Sequence, residues 1–146
     1  MKLNIHDICR LSGLSRVQVE QAISRWLITP HHKSAPGQAR RFTQGDAFAF
    51  CLAGELHRIG FSWPAIRDVY AVLPFPEVDE YFEQVEIFPG YAQLREAVAV
   101  VTNFNTAELP VVRYVERADL SKVGAEPAIV LPATRIAKLV EAVANE

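Results

Sequence analysis

The sequence predicts a mainly α-helical protein, in which a helical first half is followed by a small α+β region. Three observations support this fold class. Apolar residues recur at helical spacing through residues 4–73, and typical N-cap residues precede the runs. Pro74 and Pro76 then interrupt the pattern, which predicts a domain boundary after residue 73. Beyond that boundary, two short runs rich in β-branched residues predict strands.

The first two helices are marked by their caps. Asn4 is a good N-cap with Asp7 three residues later, and the first helix is predicted to end at Gly13. Ser15 and Gln18 have the spacing of a capping box, in which a hydroxyl and a Gln side chain each pair with an orphan amide. A second helix is therefore predicted to begin at residue 16.

The second helix is amphipathic. Its apolar residues follow helical spacing and predict a buried stripe: Val19, Ala22, Ile23 and Trp26. Its polar residues are predicted to face outward: Arg16, Gln18, Glu20, Gln21, Ser24 and Arg25. Glutamine and arginine on such a face can pair with base edges in a major groove, as in helix-turn-helix proteins. Ordinary packing of two helices joined by a glycine turn gives the same pattern.

A turn-rich segment with basic residues near both ends, residues 31–42, follows the second helix and is interpreted as a wing, meaning a hairpin or loop. Thr43 is predicted to cap the third helix. The predicted buried side of that helix consists of Phe48, Cys51, Leu52, Leu56 and Ile59. Residues 60–66 then lead into a fourth helix.

Residues 3–73 resemble the N-terminal winged-helix DNA-binding domain of the MerR family of bacterial transcription regulators. The matching segments are, in order, Ile8–Ser15, Leu27–Pro30, Arg40–Thr43 and Leu56–Ser62, with Ile66 behind them. The chain departs from the family at Glu20, Gln21 and Ala22, where the family usually has an arginine followed by two aromatic residues. A carboxylate facing phosphates lowers affinity, although Glu20 can accept a hydrogen bond from a cytosine amino group.

The resemblance implies a transcription regulator that binds double-stranded DNA, with Arg16, Lys33, Arg40 and Arg41 on phosphates. Gln18, Gln21 and Arg25 are predicted to meet base edges. The complete predicted DNA-binding set is Ser15, Arg16, Val17, Gln18, Glu20, Gln21, Arg25, His32, Lys33, Gln38, Arg40 and Arg41.

The charge distribution agrees with that assignment. The chain has a formal net charge of −2, but residues 1–73 hold 9 Lys and Arg against 5 Asp and Glu, a balance of +4. Residues 74–146 hold 6 against 12, a balance of −6. A basic first half and an acidic second half indicate that the first half meets phosphate.

The second half is predicted to contain helices Glu77–Ile87 and Tyr91–Val101, strands Leu109–Glu116 and Ala128–Leu131, and helix Ala133–Asn145. The last helix is striped by Ile136, Leu139, Val140 and Val143. Family members usually have a long dimer helix at this point, which this chain lacks. Its apolar stripes can form a homodimer through residues 74–146 or pack on the first half, and paired half-sites favour the dimer.

Other chemistries are not favoured by the sequence. Cys9 and Cys51 are expected to be reduced thiols, and the His and Cys spacings do not predict a metal site. No cofactor motif or nucleophile motif is apparent, so we do not expect an enzyme. The only predicted place for a small-molecule effector is a modest pocket among aromatic residues that are more typical of a core: Tyr81, Phe82, Phe88, Tyr91 and Phe104.

No membrane-spanning run or signal peptide is recognised, and we expect a cytoplasmic, nucleoid-associated protein. Two other functions remain open from the sequence. The same module occurs in phage and mobile-element proteins such as excisionases and terminase small subunits. A protein-interaction adaptor that has lost DNA binding is the second alternative, for which Glu20 is the main argument.

Overall fold

The computed structural model describes residues 3–25, 27–30, 35–73, 96–104, 108–122, 124 and 127–146. In chain order they form α1 (Ile5–Ser12), α2 (Arg16–Ser24), α3 (Gln44–Arg58), α4 (Trp63–Val72), β1 (Ala97–Thr102), β2 (Val111–Glu116), a 3-10 helix (Arg117–Lys122), β3 (Ile129–Leu131) and α5 (Ala133–Ala144). The predicted combination of helices with a small sheet is confirmed. The predicted helix Glu77–Ile87 lies outside the described residues.

The first four helices begin where the sequence predicts. Three of them open with reciprocal capping boxes, in which the N-cap side chain accepts an amide and the N3 side chain accepts the N-cap amide: Asn4 with Asp7, Ser15 with Gln18, and Thr43 with Asp46. The N-cap of α4 is Ser62, whose hydroxyl accepts the Ala65 amide. These local bonds satisfy amides that would otherwise be orphaned at each helix start.

Helix α3 is the centre of the molecule, and its residues are buried on all sides from Gly45 to Gly54. A helix that is apolar all round is typical of such a position. Helices α1, α4 and α5 pack against it. The prediction that Ile59 belongs to the buried stripe is wrong, because α3 ends at Arg58 and Ile59 is 47% exposed at its C-cap.

Strand β1 lies between β2 and β3 in an antiparallel sheet of order β2-β1-β3, with Val100 opposite Arg113 and Val130. The predicted helix Tyr91–Val101 is wrong from residue 97 onward, where the structure has β1; residues 91–95 are not described. All six residues of β1 are buried. A short apolar run fits either a helix or a strand covered on both faces, and the β-branched valines favour the strand.

The two predicted strands and the last predicted helix of the second half are present. Strand β2 and strand β3 fall within the predicted ranges, and α5 matches the predicted last helix. Ile136 and Val140 are buried as expected. Leu139, however, is 52% exposed, because the buried stripe of α5 runs through neighbouring positions and turns this side chain away.

The second half packs directly on the first. Ala99 and Val101 of β1, with Ile136 and Val140 of α5, belong to the same hydrophobic cluster as the buried residues of α1–α4. The Thr134 hydroxyl accepts the Ala97 amide at 2.7 Å, which ties α5 to the central strand. The apolar face of α5 is therefore used within the chain, and this is one of the two arrangements that the sequence left open.

Candidate nucleic-acid interface

The connection between α1 and α2 is a short, fully bonded turn. Gly13 ends α1 with φ +72°, a left-handed conformation that favours glycine, and its amide donates to the Cys9 carbonyl. The Ser12 hydroxyl donates to the Ile8 carbonyl at 2.7 Å and accepts the Leu14 amide at 3.2 Å. The start of α2 is thereby fixed relative to α1.

Helix α2 buries one face and exposes the other, as predicted. Val19, Ala22 and Ile23 face the core, whereas Trp26 is not among the described residues. The exposed side chains on and beside α2 are Ser15, Arg16, Val17, Glu20, Gln21, Ser24 and Arg25. Val17 is 60% exposed, the highest value among the large apolar residues that the structure describes as exposed.

Arg16 and Glu20 form an ion pair across one turn of this exposed face, with Nε and Oε1 2.9 Å apart. The pair joins a residue predicted to bind phosphate with the acidic residue that departs from the family pattern. Both side chains are largely exposed, so the pair contributes little to stability, about 0–1 kcal/mol. It does reduce the positive charge that Arg16 presents.

Gln18 is not free to face a ligand in this structure. Its Oε1 accepts the Ser15 amide at 2.9 Å, and its Nε2 lies 3.1 Å from Nε2 of His57 on α3. The His57 ring stacks on Trp63, with ring centroids 5.1 Å apart and planes 25° apart. This geometry does not support the base-edge contact predicted for Gln18.

His57 is not predicted from the sequence as a partner of Gln18 in α2. The two residues are 39 positions apart, and no local pattern links them. Tyr70 is a second such case, because its hydroxyl donates to the Thr29 carbonyl at 2.8 Å and anchors the segment after α2 on α4. Burial raises the pKa of Tyr70 above its usual value, so the phenol keeps its proton at neutral pH.

The predicted wing is described only from residue 35 onward, and His32 and Lys33 therefore lie outside the described residues. Its end contains a turn in which the Gln38 amide donates to the Ala35 carbonyl at 3.0 Å. Gly37 at the third position has φ +81°, as a type II turn requires. Gln38, Arg40 and Arg41 follow on the surface.

The end of this segment is held by the N-terminus. Leu3 and Phe42 form an isolated antiparallel bridge, with both amide-to-carbonyl distances 2.9 Å, and both side chains are buried. This bridge brings residues 38–41 back beside the start of α1. The sequence alone did not predict it.

Four of the predicted residues meet on one surface. Arg16 and Glu20 of α2, with Gln38 and Arg40 of the following segment, line a shallow cavity of about 220 Å³. Asn4, Ile5 and Ala39 complete its lining. Gln21, Arg25 and Arg41 are exposed but do not line the cavity.

The charge of this surface is dominated by arginines. Among the described residues, no carboxylate lies within ion-pair distance of Arg25, Arg40 or Arg41. Exposed cations without protein partners can exchange their counterions for phosphates. The arrangement is suited to a polyanion that contacts α2 and residues 38–41 together.

The other cavities have a different character. The largest of those described, about 980 Å³, lies between the sheet and α5, and its lining groups Glu96 and Arg117 pair with each other at 3.0 Å. Phe104, the described member of the predicted aromatic pocket, packs on Phe61 with ring centroids 5.9 Å apart. Tyr81, Phe82, Phe88 and Tyr91 are outside the described residues.

No family model matches the chain, and a search of curated proteins found no similar sequence.

Within the described ranges, His, Cys, Asp and Glu side chains form no group of three or more that could hold a metal ion. No helix in the part of the chain that the structure describes is long and apolar enough to cross a membrane. Cys51 is buried, which raises the pKa of its thiol to about 12.

Proposed function

We propose that this protein is a sequence-specific transcription regulator of the MerR-like winged helix-turn-helix type, which binds double-stranded DNA as a homodimer. The order of elements supports this function: two capped helices joined by a glycine turn, a basic segment paired with the N-terminus, and two further helices. Such a regulator acts in the cytoplasm, at the nucleoid.

The observation that carries the proposal is the shared surface of α2 and the predicted wing. Arg16 and Glu20 come from one, Gln38 and Arg40 from the other, and all four line the same cavity. A recognition helix in the major groove and a wing on the adjacent backbone need this side-by-side placement. Helical packing alone has no need for exposed arginines on both segments.

Phosphate contacts fall to the arginines at the edges of this surface. Arg40 and Arg41 are exposed, and neither has a carboxylate partner among the described residues, so binding a phosphate breaks no ion pair of theirs. Arg16 contributes once DNA draws it from Glu20. Lys33 and His32 stay assigned to the wing by the sequence pattern.

Base contacts fall to Val17, Gln21 and Arg25. Gln21 and Arg25 are exposed on α2 and carry the donors and acceptors that read base edges. Val17 offers an apolar surface suited to a thymine methyl group. Gln18 instead holds the start of the helix, because both ends of its amide are already bonded.

The homodimer is assigned to residues 74–146. Two large apolar side chains of this half, Val130 and Leu139, are exposed and line the same groove. Burying them between two copies would set two reading helices apart for paired half-sites. Resemblance to the family implies that the bound DNA is bent or untwisted at a promoter. The half-site spacing that this dimer sets would differ from the spacing set by a coiled coil.

The test is a selection of bound duplexes from a random DNA pool, read by sequencing, at near-physiological salt. An enriched inverted repeat is the expected result. A single unpaired motif would favour a mobile-element protein, and a pool without enrichment would favour a protein-interaction adaptor.

Two variants separate the roles of the arginines and of α2. Arg40→Ala should weaken binding to all duplexes and lower the salt slope by about one unit, because a phosphate contact carries no sequence information. Gln21→Ala should relax the selected sequence at one position. Equal losses on every duplex for both variants would contradict the base contact of Gln21.

A further inference from the structure

A hydrogen-bonded chain links the start of α2 to the last turn of α3. The Ser15 amide donates to Gln18 Oε1 at 2.9 Å, and the Gln18 amide in turn donates to the Ser15 hydroxyl at 3.1 Å. Gln18 Nε2 then lies 3.1 Å from Nε2 of His57. The chain therefore passes from α2 through one Gln side chain to one imidazole.

The chemistry of the Gln18 amide decides the state of His57. Its oxygen is occupied by the Ser15 amide, so its nitrogen faces His57, and an amide nitrogen only donates. Nε2 of His57 must therefore accept. The ring is neutral in this arrangement, with its proton on Nδ1.

A second contact holds the His57 ring in this orientation. His57 stacks on Trp63, the first residue of α4, with the planes 25° apart. This contact restricts the rotation of the imidazole and directs Nε2 toward α2. Three helices thus contribute to one contact: α2 through Gln18, α3 through His57 and α4 through Trp63.

We propose that His57 is a positioning residue for the DNA-reading helix: its neutral imidazole holds Gln18, which fixes the first turn of α2 and with it Arg16 and Val17. The inference rests on the proposed function, since it assigns His57 a role in that function. Gln18 is the link between them and does not itself meet DNA.

Protonation of His57 breaks the chain. Nε2 then carries a hydrogen and can only donate, so two donors face each other. If Gln18 turns its oxygen toward the imidazolium, the Ser15 amide loses its acceptor and the capping box opens. In either case the first turn of α2 loses a hydrogen bond, and binding to the selected sequence weakens as the pH falls.

The charged groups on the three contributing helices are mostly paired with one another. Glu55 pairs with Arg58 on α3, Arg16 with Glu20 on α2, and Arg67 with Asp68 on α4. Arg25 and Asp46 stand at the opposite ends of their helices from this contact.

The test compares binding to the selected duplex and to a scrambled duplex at about pH 7.5 and about pH 5.5, a range in which imidazoles ordinarily titrate. The ratio of the two affinities is the measured quantity, because other histidines gain charge in acid and strengthen binding to all DNA. With one hydrogen bond lost, the ratio should fall about fivefold at the lower pH.

Two substitutions separate hydrogen bonding from stacking. His57→Gln keeps an acceptor at both pH values, so its ratio should stay near the neutral value throughout. His57→Phe keeps the stacking on Trp63 without an acceptor, so its ratio should be low at both. His6→Gln, at an exposed histidine of α1, is the matched control and should keep the pH dependence of the unaltered protein.

A measurement without DNA separates the inference from the proposed function. Nitrogen-15 NMR of the full chain should show His57 with its proton on Nδ1, and the Gln18 side-chain amide signals should shift when the pH is lowered from about 7.5 to about 5.5. A proton on Nε2, Gln18 signals indifferent to pH, or a ratio that falls equally in His57→Gln would overturn the positioning role while DNA binding stood. Failure to bind any duplex, with the NMR result as expected, would overturn the proposed function and the role in it.

Discussion

Arg16 contacts the Glu20 carboxylate in this structure, and under the proposed function a phosphate of bound DNA would compete for it. Because both side chains of the pair are exposed, water and salt screen the attraction, and the pair is easily broken. Once Arg16 moves to a phosphate, however, the carboxylate of Glu20 stays on the same surface. If the protein binds DNA as proposed, Glu20 should therefore lower the affinity for DNA in general, unless the DNA offers it a donor.

Replacing this carboxylate tests the balance. Glu20→Gln should tighten binding to unselected duplexes and make the salt slope steeper by about one unit, because Arg16 is released and a repulsion is removed. Measurement of affinity at several salt concentrations checks both effects. Asp119→Asn makes the same change of charge in the 3-10 helix and should leave the slope unchanged. An unchanged slope for Glu20→Gln would place this face away from DNA.

Single-residue contacts were predictable where they are local. The capping pairs of Asn4, Ser15 and Thr43 span three positions, so the residue types alone indicate them. The contact of Gln18 with His57 depends on how α2 and α3 pack, and nothing in the local sequence indicates it. The same capping box that was predicted correctly also occupies the Gln18 oxygen, a consequence that was missed.

Helices α1 and α3 lie very close to each other at Gly54. A Cβ atom at this position would lie 2.2 Å from the Ser12 carbonyl oxygen, which is backbone and cannot rotate away. Ser12 is the last residue of α1, directly before the turn into α2. The close contact therefore fixes the distance between the end of α1 and α3. Because the turn into α2 follows directly, the contact also fixes the position of α2 over the core.

Gly54→Ala should destabilise the protein although alanine favours a helix by about 1 kcal/mol. The expected net loss in free energy of unfolding is about 1–3 kcal/mol, because α1 must move away from α3. Urea unfolding followed by circular dichroism measures it. A variant at least as stable as the original would mean that α1 shifts without loss, and the proposed role of this contact would be wrong.

Helices and strands were predictable where the spacing of the apolar residues fitted only one type of secondary structure. The capped amphipathic helices of the first half gave clear patterns. Strand β1 did not, because a run of Ala and Val that is buried on both faces has no alternation to distinguish it from a helix. The prediction that Leu139 lies on the buried stripe of α5 was wrong for another reason. Several positions of α5 fit an apolar stripe, and only the packing on the rest of the core selects among them.

The described residues of the two halves of the chain share a core, and a groove remains where these halves meet. The groove, about 470 Å³, lies between the end of α3, strand β3 and α5. Ile59, Val130 and Leu139 line it and are among the large apolar residues described as exposed. We propose that the two copies of the proposed dimer meet at this groove, because all three side chains remain open to solvent around it.

If the proposed dimer forms through this groove, Leu139→Glu should abolish it, because the substitution places a charge within the contact. Light scattering coupled to size-exclusion chromatography measures the mass of the full chain in solution. Leu109→Glu is the matched control, since Leu109 is similarly exposed, 56% against 52%, but does not line the groove. An unaltered dimer mass in Leu139→Glu, or a monomeric unaltered protein, would contradict this assignment.

The position of α5 at the far end of the chain has a consequence for biosynthesis. Helix α3 is complete at Arg58, but the helix that covers part of it starts only at Ala133. At the usual 5–20 residues per second, the ribosome needs roughly 4–15 s to make the residues between them. During that interval the apolar surface of α3 that α5 later buries is exposed in the nascent chain. Chaperones can bind this surface until α5 has been synthesised. A ribosome-bound chain arrested before residue 133 should accordingly be digested by protease much faster than the released, full-length protein.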